Sequence, residues 1–84
     1  MDEYEIARRA SKLPAQFANR LNPEKLKGLR AMNMGGEYGE LTIELAATLA
    51  ATGAAISAAE RDEIQALLDA MGMPTDPIQR LTVR

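Results

Sequence analysis

One stretch constrains the fold more than any other. Residues 37–52, EYGELTIELAATLAAT, are apolar on two sides when wound as a helix: Leu41, Leu45 and Leu49 fall on one stripe, and Ile43, Ala46, Ala47 and Ala50 on another. A helix with two apolar faces does not lie on a surface; several neighbours must contact it, which puts it at the middle of a helical assembly. Alanines at these spacings let a second backbone come close, within one chain or across a two-fold axis, so a homodimer is left open. The run LAATLAATGAAI is the longest apolar-looking one and is broken by Thr48, Thr52 and Gly53. It falls short of the roughly 18 apolar residues of a membrane span, so it reads as a buried helix with no role in a membrane.

The neighbours of this helix are marked by their ends. Asp2 is placed to cap a first helix, with Ile6, Ala10, Leu13 and Phe17 at helical spacing on its apolar face. Pro14 predicts a kink or short break, with helix resuming through AQFANRL. Asn22 and Pro23 suit the N-cap and first position of the next helix, where Glu24 complements the positive end of the dipole. Leu26, Leu29 and Met32 form its stripe, and Gly35 or Gly36 ends it. Ser57 and Glu60 make a capping box, after which Ile64, Leu67, Leu68 and Met71 recur at i, i+3, i+4, i+7 and Gly72 closes the helix. Asp76 and Pro77 allow one further turn. The expected fold is all-α: a small antiparallel bundle of four to five helices, residues 1–84 forming one domain.

Such a chain is too short for a second core, and with no cysteine it has no staple beyond helix packing. MDEYEIARRA is acidic, then basic, with no apolar run behind it, which is not an ordinary signal peptide; the expected location is cytoplasmic. The net charge of −2 hides an asymmetry: residues 1–30 hold seven basic and four acidic side chains, residues 31–84 three basic and eight acidic. Such a split marks either a surface that meets a charged partner or uneven decoration of solvated helices.

The stretch NMGGEYGE invites three chemical readings. A phosphate loop fails, because G-G-E-Y-G-E follows a helix, lacks a following lysine, and sets Glu37 and Glu40 where a phosphate would sit. A metal site is weakly supported: Glu37, Glu40 and Glu44 share one helix face, yet the chain has no histidine to join them, and a solvated helix edge explains them better. Enzymatic activity is not expected, since the commonest general base and the thiol nucleophile are both missing. Neither catalytic, metal-binding nor cofactor-binding residues are assigned. Punctuation between two helices is the reading that remains.

DNA binding is also disfavoured. ELAATLAATGAAISAAERDEIQALL has a helix–turn–helix silhouette, but its second helix carries Glu60, Asp62, Glu63 and Asp69 against a lone Arg61, and a DNA backbone would repel it. What stands out is an acidic surface on a helical scaffold. The candidate partner-binding residues are Glu37, Tyr38, Glu40, Glu44, Glu60, Asp62, Glu63 and Asp69, the carboxylates steering a basic protein and Tyr38 serving as an aromatic anchor or packing under its turn.

The order of these features resembles the MafI-type immunity proteins, small helical proteins that neutralise secreted bacterial polymorphic toxins. Two linked pieces carry the resemblance. One is a leucine-bearing helix followed by Gly36-Glu37-Tyr38-Gly39 and a helix with leucines at 41, 45 and 49; the other is Ile56-Ser57, Glu60, Ile64, Leu67 and Met71-Gly72-Met73. Together they span residues 21–73. After Gly39 the chain runs Glu-Leu-Thr-Ile-Glu where the family more often runs apolar, so the resemblance gives no role to Glu40 or Glu44. It implies stoichiometric binding to a cognate toxin domain, occluding its active site or substrate surface. Many such toxins are nucleases with basic clefts, which an acidic inhibitor would complement. The alternative of another class is a small helical transcription regulator or nucleic-acid-binding protein, which would bind duplex DNA with steep salt dependence.

Overall fold

The computed structural model describes residues 1–84 and shows an all-α bundle. Its elements are α1 (Glu3–Ala10), α2 (Leu13–Gln16), a 3₁₀ turn (Ala18–Arg20), α3 (Pro23–Met34), α4 (Tyr38–Thr52), β1 (Ala55–Ile56), α5 (Ala58–Ala70), a second 3₁₀ turn (Asp76–Arg80) and β2 (Thr82–Val83). The helix with two apolar faces, α4, is central: α1, α3, α5 and the second 3₁₀ turn all pack on it. Its stripe of Leu41, Leu45 and Leu49 is fully buried, with Phe17, Leu29, Ile64, Leu67 and Leu68 closing around it. Burying each such side chain contributes about 1.5–3 kcal/mol, which is why this stripe fixes the orientation of α4.

The second face of α4 differs from its sequence pattern. Ala46 is buried, but Ala47 is exposed and Ile43 and Ala50 are half-buried, while Thr42 and Thr48 point inward. Thr42 is accommodated because its hydroxyl donates to the Tyr38 carbonyl at 2.7 Å, so no polar atom is left unpaired there.

The caps follow the sequence closely. Asp2 accepts from the Glu5 amide at 2.7 Å and Asn22 from the Lys25 amide at 2.8 Å. Ser57 and Glu60 form the reciprocal box, with bonds of 3.0 and 2.9 Å. Helices α3 and α5 end in matching Schellman motifs. Gly36 (φ 71°) lets Glu37 N–H reach the Met32 carbonyl at 2.9 Å, and Gly72 (φ 66°) lets Met73 N–H reach that of Leu68 at 2.9 Å.

Two features depart from expectation. The break in the first segment falls at Ser11–Lys12, ahead of Pro14, and helix resumes for only one turn before the 3₁₀ turn. Pro14 sits in the first turn of α2, where its missing N–H costs nothing. The tighter path turns Phe17 wholly into the core. The second departure is a parallel pairing of β1 with β2, Ala55 opposite Thr82 and Ile56 opposite Val83, extended by Arg84 N–H to the Ile56 carbonyl at 2.9 Å. It ties the last residues to the α4–α5 connection.

Candidate interaction surface

Six of the eight candidate residues divide into two groups once placed in space, with Asp62 and Tyr38 apart from both. Glu60, Glu63 and Glu44 are held by cations from the first thirty residues. Glu60, on the first turn of α5, accepts from Arg20 through two parallel bonds of 2.7 Å, and also from the Ser57 amide and, at 3.3 Å, from Gln16. The Arg20 guanidinium lies 4.4 Å from the centroid of the Phe17 ring, so the same cation stacks on the core. The bidentate Arg20 contact, reinforced by the Ser57 amide, holds the Glu60 carboxyl down at about 2, well below the ordinary range. One turn on, Glu63 takes both Nε and Nη2 of Arg9, the Nε bond measuring 2.8 Å, and Arg9 also reaches Glu5 at 3.1 Å. Arg9 lowers the Glu63 carboxyl first of all, and the charges of Arg8 and Lys12 act in the same direction. Glu44, midway along α4, pairs with Lys25 of α3 at 2.5 Å.

The sequence reading of Glu60, Asp62, Glu63 and Asp69 against a lone Arg61 is therefore corrected, since Arg20 and Arg9 also meet this helix. The charge split between the two parts of the chain closes substantially on itself, and these ion pairs fasten α1, the first 3₁₀ turn and α3 to the two helices that follow. Asp62 is exposed and bonded only to its neighbour Arg61, at 3.1 and 3.2 Å.

Glu37, Glu40 and Asp69 form the second group: exposed, and in no ion pair. Glu37 and Glu40 belong to the start of α4 and Asp69 to the end of α5, two helix ends that meet the start of α1, although none of the three lines the space between them. A shallow groove of about 870 Å³ runs between these ends, lined by Ile6, Tyr38, Gly39, Ala70 and Met71, with Met1, Asp2, Glu3 and Gly36 completing it. Tyr38 is half-buried: one side packs against the core cluster while it lines the groove with the other residues. The two readings of Tyr38, packing residue and surface aromatic, thus describe one position. A smaller depression of about 330 Å³ lies between α3 and α4 over Leu29 and Met32, bordered by the Lys25–Glu44 pair.

Nowhere do three carboxylates come close enough together to hold a metal ion. No helix is long and apolar enough to cross a membrane. Sequence reasoning missed Arg9 and Arg20, whose partners lie 54 and 40 residues away, and it missed Ile6 and Met71 as groove residues. For the arginines no local signal existed. For Ile6 and Met71 there was one: Ile6 is the first and Met71 the last apolar position of its stripe, where a bundle's packing runs out.

Fold and surface together define a small helical domain with an open groove where three helix ends meet. No family model matches the chain, and neither a curated protein nor a solved structure matches it.

Proposed function

We propose that this chain is an immunity protein of the MafI type, which binds a cognate secreted toxin domain and neutralises it by stoichiometric occlusion. The observation that supports this reading is that Glu37, Glu40 and Asp69 are exposed and in no ion pair, while Tyr38, between the first two in sequence, is half-buried and lines an open groove. Charges already satisfied within the fold have little left to offer a partner, whereas free ones steer a basic protein and a partly fixed aromatic supplies contact area at low entropic cost. The toxin surface that fits is basic, as a nuclease cleft would be. Contact with nucleic acid itself is not part of this reading, and no catalytic role is assigned.

The test begins with capture of the tagged chain's partners from native-cell lysate and continues with the purified partner. An equimolar complex that abolishes the partner's toxic activity supports the proposal. A partner whose activity is untouched at saturating amounts of this chain overturns it. One observation favours the nucleic-acid alternative: Arg8, Lys12, Lys27 and Arg30 are exposed on α1, α3 and the turn after α1, without a carboxylate partner. Duplex DNA binding that falls steeply with salt would move the assignment there.

A further inference from the structure

We propose that the seam between α3 and α4 is where a second copy of this chain docks, giving a two-fold dimer in which α4 of each copy lies over α3 of the other. The proposal is independent of the immunity reading, because it uses neither Tyr38 nor the carboxylates at the start of α4.

The sequence carries the first sign. From Leu45 to Ala59 the chain has no charged residue, although Ala47 and Ala51 are exposed on α4. Helices α1, α3, α5 and the second 3₁₀ turn cover the other sides of α4. The outward face of a helix that stays in water ordinarily carries charged or polar residues. Alanines there gain nothing from water, but they let a second helix axis come close.

The groove beside this stripe holds an unused polar group. The depression over Leu29 and Met32 continues past the Lys25–Glu44 pair into a second one of about 280 Å³, lined by Ala47, Thr48, Ala51 and Thr52. Asn22, Lys25 and Glu44 line both, so the two form one groove along the seam. Thr48 is only 9 % exposed, yet its hydroxyl makes no hydrogen bond within the chain, whereas those of Thr42 and Thr52 reach backbone carbonyls. The hydroxyl is not sealed off either, since the one enclosed side-chain polar atom without a partner is Arg20 Nε. It opens to the groove, where a group from outside completes it.

Self-complementarity selects a copy of the same chain. Across the seam α3 and its cap supply the donors Lys25 and Asn22, and α4 supplies the acceptors Glu44 and Thr48. Asn22 spends its side-chain oxygen on capping α3, which leaves its amide group to donate. A two-fold axis along the groove exchanges α3 for α4. The second copy's Lys25 then falls beside Glu44 and its Asn22 beside Thr48, each contact made twice. The same rotation lays each α4 against an α3 that runs the opposite way, so their dipoles attract. A uniformly basic or acidic partner would match one member of the Lys25–Glu44 pair and strand the other.

The test is sedimentation equilibrium of the full chain, native and substituted. The native chain is expected to dimerise reversibly. Ala47→Glu, at an exposed position outside the core, is expected to weaken association about tenfold or more, since it buries a charge against the second copy. Lys25→Glu and Glu44→Lys sharpen the test. In a dimer of either variant like charges meet at both sites, whereas a mixture of the two variants restores two opposite pairs. Each alone is expected to associate about tenfold more weakly than the native chain, and the equimolar mixture to recover native affinity. No folding defect in the single variants reproduces that recovery. A native chain still monomeric at about 1 mM would overturn the proposal. So would a dimer that Ala47→Glu leaves intact, or a mixture that associates no more tightly than its components. A monomeric chain whose Ala47 and Ala51 amides shift on adding a captured partner would overturn it in favour of that partner.

Discussion

Two carboxylate-rich regions of this molecule look alike in sequence and behave differently in space. On α5, Glu60 and Glu63 are gripped by arginines that arrive from the first twenty residues, and their charge is spent on holding the bundle together. At the start of α4, Glu37 and Glu40 are exposed and have no cationic partner. The difference teaches that net charge along a chain is a poor guide to a binding surface. What matters is the charge that remains after the fold has paired what it can.

That contrast can be broken or sharpened by mutation. The largest effect is expected for Glu60→Ala, which removes one side of the capping box and leaves the Arg20 guanidinium without its carboxylate. A loss of about 2–3 kcal/mol is predicted, read from urea unfolding at neutral pH. A loss within experimental scatter would place Glu60 with the free carboxylates.

Acid unfolding should follow the same division. The Glu60 carboxyl is lowered in the folded chain to about 2 from an ordinary 4.5, and Glu63 is lowered too. Between those limits the unfolded chain binds more protons than the folded one, so stability rises with pH there. Their contribution is present above the unfolded value and is lost as pH falls through the folded one. The urea midpoint of the native chain should drop as pH falls from about 4.5 towards 2, and Glu60→Gln should flatten that limb by about 1–2 kcal/mol. An unchanged limb in the variant would contradict the pairing.

A smaller effect, of opposite sign, is expected on α3. A side chain at Gly28 would meet no atom within 4 Å, and the residue sits inside the helix with ordinary backbone angles. Gly28→Ala should stabilise by about 0.5–1 kcal/mol, measured as a rise in Tm, because it removes only the entropic penalty of glycine in a helix. The smallest effect belongs to the start of α4: Glu37→Gln with Glu40→Gln should change stability by less than about 0.5 kcal/mol, as exposed unpaired positions do.

The parts of this fold that were legible in the sequence are those with local causes. Asp2, Asn22 and the Ser57–Glu60 box announce helix starts through bonds spanning three residues. Gly36 and Gly72 announce ends through a backbone angle other residues avoid. The leucine stripe of α4 declared its central place by periodicity alone. Features with distant causes were not legible. The β1–β2 pairing joins strands of two residues each, too short to show alternation. The inward turn of Thr42 depends on a backbone carbonyl within reach, and the seat of Arg20 depends on Phe17 and Glu60 being brought to the same place. For the candidate surface, sequence found Tyr38 but not the groove that it lines, because that groove is made by three helix ends separated along the chain.

The division between fold-keeping and partner-facing carboxylates is tested most directly by one affinity comparison. A lysine–leucine amphipathic peptide, standing for the basic surface of the proposed partner, is titrated into native chain, into Glu60→Gln and into the Glu37→Gln, Glu40→Gln double variant, all under conditions where each is folded. Native affinity in Glu60→Gln, with weakened affinity in the double variant, is the predicted result. Weakening in Glu60→Gln equal to or greater than that in the double variant would show that the paired face, and not the unpaired carboxylates at the start of α4, meets the partner.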